Sequence, residues 1–315
     1  MKDVSGKTAF ITGGASGMGL GMAKAFADAG MNVVIADIRQ AALDEAMAEF
    51  ADTNFKVHPI RLDVTDREGW VSAADEAETV FGPIHVLCLN AGVGIAGPMA
   101  TSTYKDWDFN IQVNIYGAVN GLVTFLPRMR ALDEPCHIVA TSSTGGFSAV
   151  GTAGLYCTAK FAITGMMESL ATELQGTNIG VSVFFPGPVQ TNLAATTGEV
   201  RPDHLKNAPP SGSGPDVGYD ERPPRNFTFD PSVFMTKEEV GKRVLRGIER
   251  GDLFIMTHPE FAAGIKARNE ALLRAQPVEP INQKRAETVK LFGTLMYNPI
   301  YDTQQVVDGP DLSEV

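Results

Sequence analysis

Cysteine is scarce in this chain, and the scarcity excludes two classes of protein. Cys88, Cys136 and Cys157 are odd in number and widely spaced, so they build neither a disulfide framework nor a zinc pattern and suit a reducing compartment. The five histidines, His58, His85, His137, His204 and His258, show no H-E-x-x-H or similar spacing, and no metal site is expected. No apolar run approaches the roughly 20 residues of a membrane span, and no basic segment followed by an apolar one opens the chain. Cationic charge is in deficit as well. The net charge of −11 has the wrong sign for binding nucleic acid or an anionic membrane. These absences leave a cytoplasmic protein whose partners are small molecules. Asn226-Phe227-Thr228 matches a glycosylation sequon, but no secretion signal accompanies it.

What is present is core material and a regular alternation. The 315 residues are 44% hydrophobic, enough for a large domain. Residues 7–12 (KTAFIT) read as a strand. They run into the loop Gly13-Gly14-Ala15-Ser16-Gly17-Met18-Gly19, and helical spacing follows through Ala29 to a stop at Gly30. A strand, a glycine turn and a helix open a dinucleotide-binding unit, because glycines admit a pyrophosphate and a helix N-terminus supplies free N–H groups. Taken alone, the loop fits a simple tight turn equally well.

Residues 31–37 (MNVVIAD) read as a second strand ending in Asp37. A carboxylate there accepts hydrogen bonds from an adenosine ribose and repels a 2′-phosphate, which favours NAD over NADP. Arg39 is the counter-signal, and the alternative for Asp37 is a helix N-cap for AALDEAMAEF. A third strand over 57–64 ends in Asp63 and Val64, a helix covers 66–81, and the apolar run 84–90 (IHVLCLN) reads as a fully covered strand leading into Asn90-Ala91-Gly92. Helical spacing over 107–130 buries Asn114, which must find hydrogen-bond partners, in the simplest case on the next helix. Further strands are predicted over 137–143, 178–186 and 253–257, and helices over 156–174 and 236–251, the last with Thr236 and Glu239 as a capping box.

Tyr156 and Lys160 stand four residues apart, hence on one helix face. An ammonium beside a phenol favours the phenolate, which would bring a group of pKa roughly 10 toward proton exchange near neutrality. By itself such a pair is more often a solvated helix face, and Cys157 beside it reads as packing. In company with T-G-x-x-x-G-x-G (Thr12, Gly13, Gly17, Gly19), N-A-G and Pro186-Gly187-Pro188-Val189-Gln190-Thr191, it resembles the short-chain dehydrogenase/reductase family over residues 7–191.

That resemblance implies one doubly wound Rossmann α/β fold: a seven-stranded parallel sheet, helices on both faces and a homodimer or homotetramer built on the 107–130 and 156–174 helices. It implies Asn114, Ser143, Tyr156 and Lys160 as the catalytic set, with Ser143 rather than Ser142 at the right spacing to the tyrosine. NAD would be held by Thr12, Gly13, Ser16, Gly17, Met18, Gly19, Asp37, Asp63, Val64, Asn90, Ala91, Gly92, Tyr156, Lys160, Pro186, Gly187, Val189 and Thr191. A single catalytic domain is expected over 1–275 and a C-terminal extension over 276–315. Within it, a long loop over 192–235 would serve as a substrate lid carrying Tyr219, Phe227, Phe229 and Phe234. A helix over 259–275 is expected to close the catalytic domain, and the extension to hold another over 286–296 and a polar tail from 298 that docks on a neighbouring subunit or frays. TAFITGGASGMGLGMA, ADIRQ, TYKDWD and THPE are similar to bacterial enzymes that oxidise the benzylic hydroxyl of lignin-type aryl ethers. The expected activity is NAD-dependent oxidation of a bulky aryl or benzylic secondary alcohol. The alternatives are a hydroxysteroid or alicyclic alcohol dehydrogenase, or a retired dinucleotide-binding sensor or scaffold.

Overall fold

Seven short apolar runs pair into one sheet. The computed structural model describes residues 1–207, 230–294 and 296–306; Tyr219, Phe227, Phe229 and the sequon at Asn226 lie outside the described residues. The strands are β1 (Thr8–Thr12), β2 (Asn32–Asp37), β3 (Val57–Arg61), β4 (Val86–Leu89), β5 (Cys136–Thr141), β6 (Ile179–Phe185) and β7 (Phe254–Met256). All pair in parallel in the order β3-β2-β1-β4-β5-β6-β7. The order reverses between β1 and β4, and a sheet of this kind opens its binding crevice at the carboxyl ends beside such a reversal.

Helices cover both faces because every central strand is apolar on both. On one face α3 (Arg67–Phe81), α5 (Gly117–Arg130) and α6 (Gly154–Glu173) bury Trp70, Phe125 and Met167 against Phe10 and Leu87. On the other, α1 (Gly17–Asp28), α2 (Gln40–Phe50) and α8 (Lys237–Arg250) bury Phe26, Leu43 and Val244 against Val33 and Ile35. Between α1 and α8 the backbones touch. A Cβ on Gly21 would overlap the Lys237 carbonyl, and one on Gly241 would overlap the Gly21 carbonyl. At that distance a methyl group has no place to go, so both positions require glycine.

The structure differs from the sequence expectations in four places. The 107–130 helix begins earlier, at α4 (Tyr104–Ile111), where Thr103 and Asp106 form a capping box. It then passes through a π turn, Gln112–Tyr116, before α5. The stretch after residue 192 is not loop throughout, since α7 (Leu193–Val200) follows at once. Its short run of alanine and threonine gives little helical signal; docking supplies what propensity lacks, with the Gly94 amide donating to Thr197 Oγ1 at 2.8 Å. Asp37 does not cap α2; Arg39 holds the N-cap position.

The fourth difference lies beyond residue 275: α9 (Ala262–Arg274) falls within the expected 259–275, but α10 (Gln283–Lys290) starts and ends earlier than the expected 286–296. The tail beyond it docks on its own chain: Tyr301 donates to Glu168 at 2.6 Å, Asn298 to Thr172 at 2.7 Å, and Gln304 accepts the Phe254 amide at 2.8 Å. Among the described residues no helix is long and apolar enough to cross a membrane, and no cluster of three or more ligating side chains suits a metal.

Candidate active site

The carboxyl ends of β1, β2, β3 and β4 open into a cleft of about 180 Å³. Its floor is the glycine turn. Gly13 and Gly17 hold φ of +62° and +50°, a region L side chains avoid, and a Cβ on Gly17 would already stand 3.4 Å from the Thr191 methyl. Ser16 holds the N-cap position of α1 without bonding the helix N–H groups, which leaves them directed at the cleft. These features fit the pyrophosphate of a dinucleotide.

Gly13, Ser16, Gly17, Met18, Asp37, Asp63, Val64, Asn90, Ala91, Gly92 and Thr191 line this cleft. Thr12 and Gly19 shape it from behind. The Thr12 hydroxyl accepts the amides of Asn90 and Ala91 at 2.9 and 3.0 Å, tying β1 to the N-A-G turn. Gly19 packs against the Gly13 carbonyl. Pro186, Gly187 and Val189 form the loop after β6 and stand outside the cleft wall itself; Val189 pairs with Met235. Ile38, Arg39 and the inner face of α7, with Leu193 and Thr196, also line the cleft. Residue spacing gave no warning of that last wall, because α7 itself was not visible in the pattern.

Asp37 is buried, and the backbone amide of Arg39 donates to its Oδ1 at 3.1 Å. The Arg39 guanidinium lies 3.4 Å from the same carboxylate, donates to Ser16 Oγ at 2.8 Å and reaches Glu199 of α7 at 3.7 Å. The arginine that complicated the cofactor reading is therefore shared between two carboxylates.

Deeper in, β5 and α6 bring the chemical groups together. The Ser143 hydroxyl stands near enough to the Tyr156 phenol to favour its ionised form, and Gly145 leaves room between them: a Cβ there would stand 3.6 Å from both side chains. Ser142 is turned away, donating to the Lys160 carbonyl at 2.9 Å. Alternation along a strand permits one of two adjacent serines to face the site, and it is Ser143. Lys160 is buried with its ammonium donating to the Thr141 carbonyl at 2.9 Å, 5.5 Å from the Tyr156 ring centroid. Asn114, at the π turn, clamps the loop after β4. It accepts the Val93 amide and donates to the Val93 carbonyl, both at 3.0 Å, and donates to Asn110 at 2.9 Å. Its partners are this loop and its own helix, and not the next one. Behind Lys160, a cavity of about 10 Å³ among Asn114, Thr141 and Thr12 is at the threshold for one water molecule.

The electrostatics correct one expectation. Burial pushes the Tyr156 phenol above its usual value and the Ser143 hydroxyl pulls against it; Lys160 makes no resolved contribution. Burial also brings Lys160 down to about 8. The lysine is thus poised to exchange a proton near neutrality itself, and its link to the phenol is one of position.

A second polar cluster holds the segment beyond α7. Asp106 accepts Arg201 at 2.7 Å and Asn207 at 3.0 Å. Burial alone would raise its carboxyl; hydrogen bonds from Thr103, Arg201 and Asn207 outweigh it and bring the group down to about 2. Sequence reading missed Asp106 as an anchor, although the capping-box pattern used at Thr236 was available at Thr103.

The arrangement sets a glycine-turn cleft beside two neighbouring hydroxyls and a buried lysine. Comparison with known proteins gives the family. The model of the short chain dehydrogenase family matches residues 7–201. A C alpha-dehydrogenase of Sphingobium sp. is 39% identical over 277 residues, 87% of each chain. The crystal structure of LigO, from the same organism in its apo form, superposes with a TM-score of 0.72 at 39% identity, covering 94% of this chain and 98% of that one. A short-chain dehydrogenase/reductase from Burkholderia phymatum in complex with NAD superposes with a TM-score of 0.77 at 30% identity, covering 90% and 100%.

Proposed function

This chain belongs to the short-chain dehydrogenase family, and from that premise we propose that it is an NAD-dependent dehydrogenase of bulky aryl or benzylic secondary alcohols. The observation that carries the reading is the Ser143–Tyr156 hydroxyl pair with Lys160 buried beside it, behind Gly92 of the cleft wall, where an added Cβ would stand 3.5 Å from Lys160 Nζ. Two hydroxyls fix the substrate oxygen in place, which is worth more than either contact alone because the reacting atoms are then held in register. Tyr156 gives its phenolic proton to the neutral form of Lys160 and takes the carbinol proton in its place, and Ser143 orients the substrate oxygen. Lys160 passes the proton it receives toward the small cavity at Asn114, which is of a size for one water molecule.

When bound, the nicotinamide supplies the hydride acceptor. Gly13, Ser16, Gly17, Met18 and Gly19 hold its pyrophosphate; Asp37 holds the adenosine ribose, Asp63 and Val64 the adenine, Asn90-Ala91-Gly92 the face of the ring, and Pro186, Gly187, Val189 and Thr191 the carboxamide. Thr12 supports them, and Lys160 and Tyr156 meet the nicotinamide ribose. NAD over NADP follows from Asp37: a 2′-phosphate would meet its buried carboxylate, while Arg39 is already occupied by Asp37, Ser16 and Glu199.

Aryl substrates are favoured by the 39% identical C alpha-dehydrogenase. An alicyclic alcohol is the second reading, supported by a 2,5-dichloro-2,5-cyclohexadiene-1,4-diol dehydrogenase of Sphingobium indicum at 32% identity over 64% of this chain. The protein acts as a homodimer or homotetramer through α5 and α6, where Tyr116 and Val123 stand exposed on the outer face. Growth of NADH absorbance against parallel panels of benzylic and alicyclic alcohols tests the assignment. Turnover confined to the benzylic panel is expected; turnover confined to the alicyclic panel replaces the first reading with the second, and silence on both sinks the dehydrogenase reading.

A further inference from the structure

Thr257-His258-Pro259-Glu260 has no part in the reading above, yet it grips the loop after β6 from behind. Thr257 is buried at the end of β7. Its hydroxyl accepts the Gly187 amide at 2.8 Å, lies 3.3 Å from the Phe185 carbonyl and pairs with His258 Nδ1 at 2.6 Å. The Pro188 carbonyl faces the imidazole and favours its protonated form, against the effect of burial. A Cβ on Gly187 would stand 2.5 Å from His258 Nδ1 and 2.7 Å from the Phe261 ring, so the loop backbone lies directly on these two rings. Burial lowers the imidazole pKa and keeps it neutral; the charged groups that act on it are Glu260 from its own segment and Glu239 and Arg243 from α8.

These contacts converge on three consecutive loop residues, Gly187 by its amide, Pro188 by its carbonyl and Pro186 through the Phe185 carbonyl before it. Neither Thr257 nor His258 lines the cleft at its adenosine end. We infer that Thr257 and His258 are positioning residues for the nicotinamide half of the cofactor: they fix the 186–191 loop, and with it the surface against which the carboxamide binds. The inference rests on the dinucleotide reading above. A pair that merely finished a strand would support both halves of the cofactor equally, whereas a pair that fixes this loop supports one.

Calorimetric titration of the full chain with NADH and with ADP-ribose, which lacks the nicotinamide, separates the two. Thr257→Val and His258→Phe are expected to weaken NADH binding roughly tenfold, the scale of one or two lost hydrogen bonds, and to leave ADP-ribose binding within about twofold. His258→Asn keeps a polar atom near the Nδ1 position and is expected to recover most of the loss seen in His258→Phe; Thr257→Val carries the test should the phenylalanine variant fail to fold. Equal weakening of both ligands, or NADH affinity unchanged in both variants, overturns the inference and leaves the dinucleotide reading standing. Failure of the unaltered chain to bind either ligand overturns both.

Discussion

The two halves of the cleft are built by different means. The half proposed to hold adenosine is mostly backbone, glycines at positive φ and a free helix N-terminus, with one strand-end carboxylate, Asp37, held by the neighbouring Arg39 amide, all within residues 12–64. The half proposed to meet nicotinamide and substrate is held by side chains that reach across the chain, Asp106 to Arg201, Thr197 to the Gly94 amide, Thr257 to the Gly187 amide. A site made of backbone inherits the rigidity of the sheet. One assembled from long-range side-chain contacts can change from relative to relative on an unchanged fold, and this is where substrate choice is free to diverge.

The strongest way to break this contrast is to remove chemistry without touching either half. Tyr156→Phe deletes one oxygen and is expected to lower turnover at least a thousandfold, the upper range for loss of acid/base catalysis, while NADH binding by calorimetry weakens no more than about tenfold, the scale of one lost ribose hydrogen bond. Retained turnover would remove the tyrosine from the mechanism. A smaller effect tests the backbone half. Asp37→Asn removes the carboxylate and releases Arg39, and is expected to lower kcat/KM for NAD and raise it for NADP, each by roughly tenfold, the scale of a charge-assisted hydrogen bond. An unchanged NAD to NADP ratio would assign the preference elsewhere.

The smallest effect tests the side-chain half. Asp106→Asn is expected to raise KM for the alcohol a few fold while leaving KM for NAD unaltered. The pH dependence has a definite sign. The Asp106 carboxyl sits at about 2 in the folded chain, below its ordinary value of 3.8, so its stabilisation is complete above roughly pH 4 and is lost as pH falls toward 2. Urea denaturation of both proteins is expected to show a difference of about 1–2 kcal/mol at pH 7 that shrinks on acidification through this range. A constant difference would mean that Asp106 acts by packing and not by charge.

The same division governs what the sequence revealed. Strand–turn–helix units, the glycine spacing and the Tyr156–Lys160 pair are local patterns, and they led to the right elements within a few residues. α7, the anchor at Asp106 and the docking of Tyr301 on Glu168 are contacts between distant segments, for which neither period nor propensity carries a signal. Lys160 shows the limit of local reasoning most clearly. Four residues put it on the same helix face as Tyr156, but burial and the Thr141 carbonyl, neither visible in the spacing, decide what its charge does.

The touching backbones of α1 and α8 bear on the order of synthesis. α1 begins at the glycine turn and cannot complete its packing until residues 237–241 exist, because the Lys237 carbonyl and Gly241 are part of its seat. At roughly 5–20 residues per second a ribosome needs on the order of 10–45 s to reach them. For that interval the apolar side of α1, with Leu20 and Phe26, stands without the partner that covers it. The nascent chain therefore carries an unfinished cradle until nearly four-fifths of its length has been made, and the last helix against the sheet closes the first.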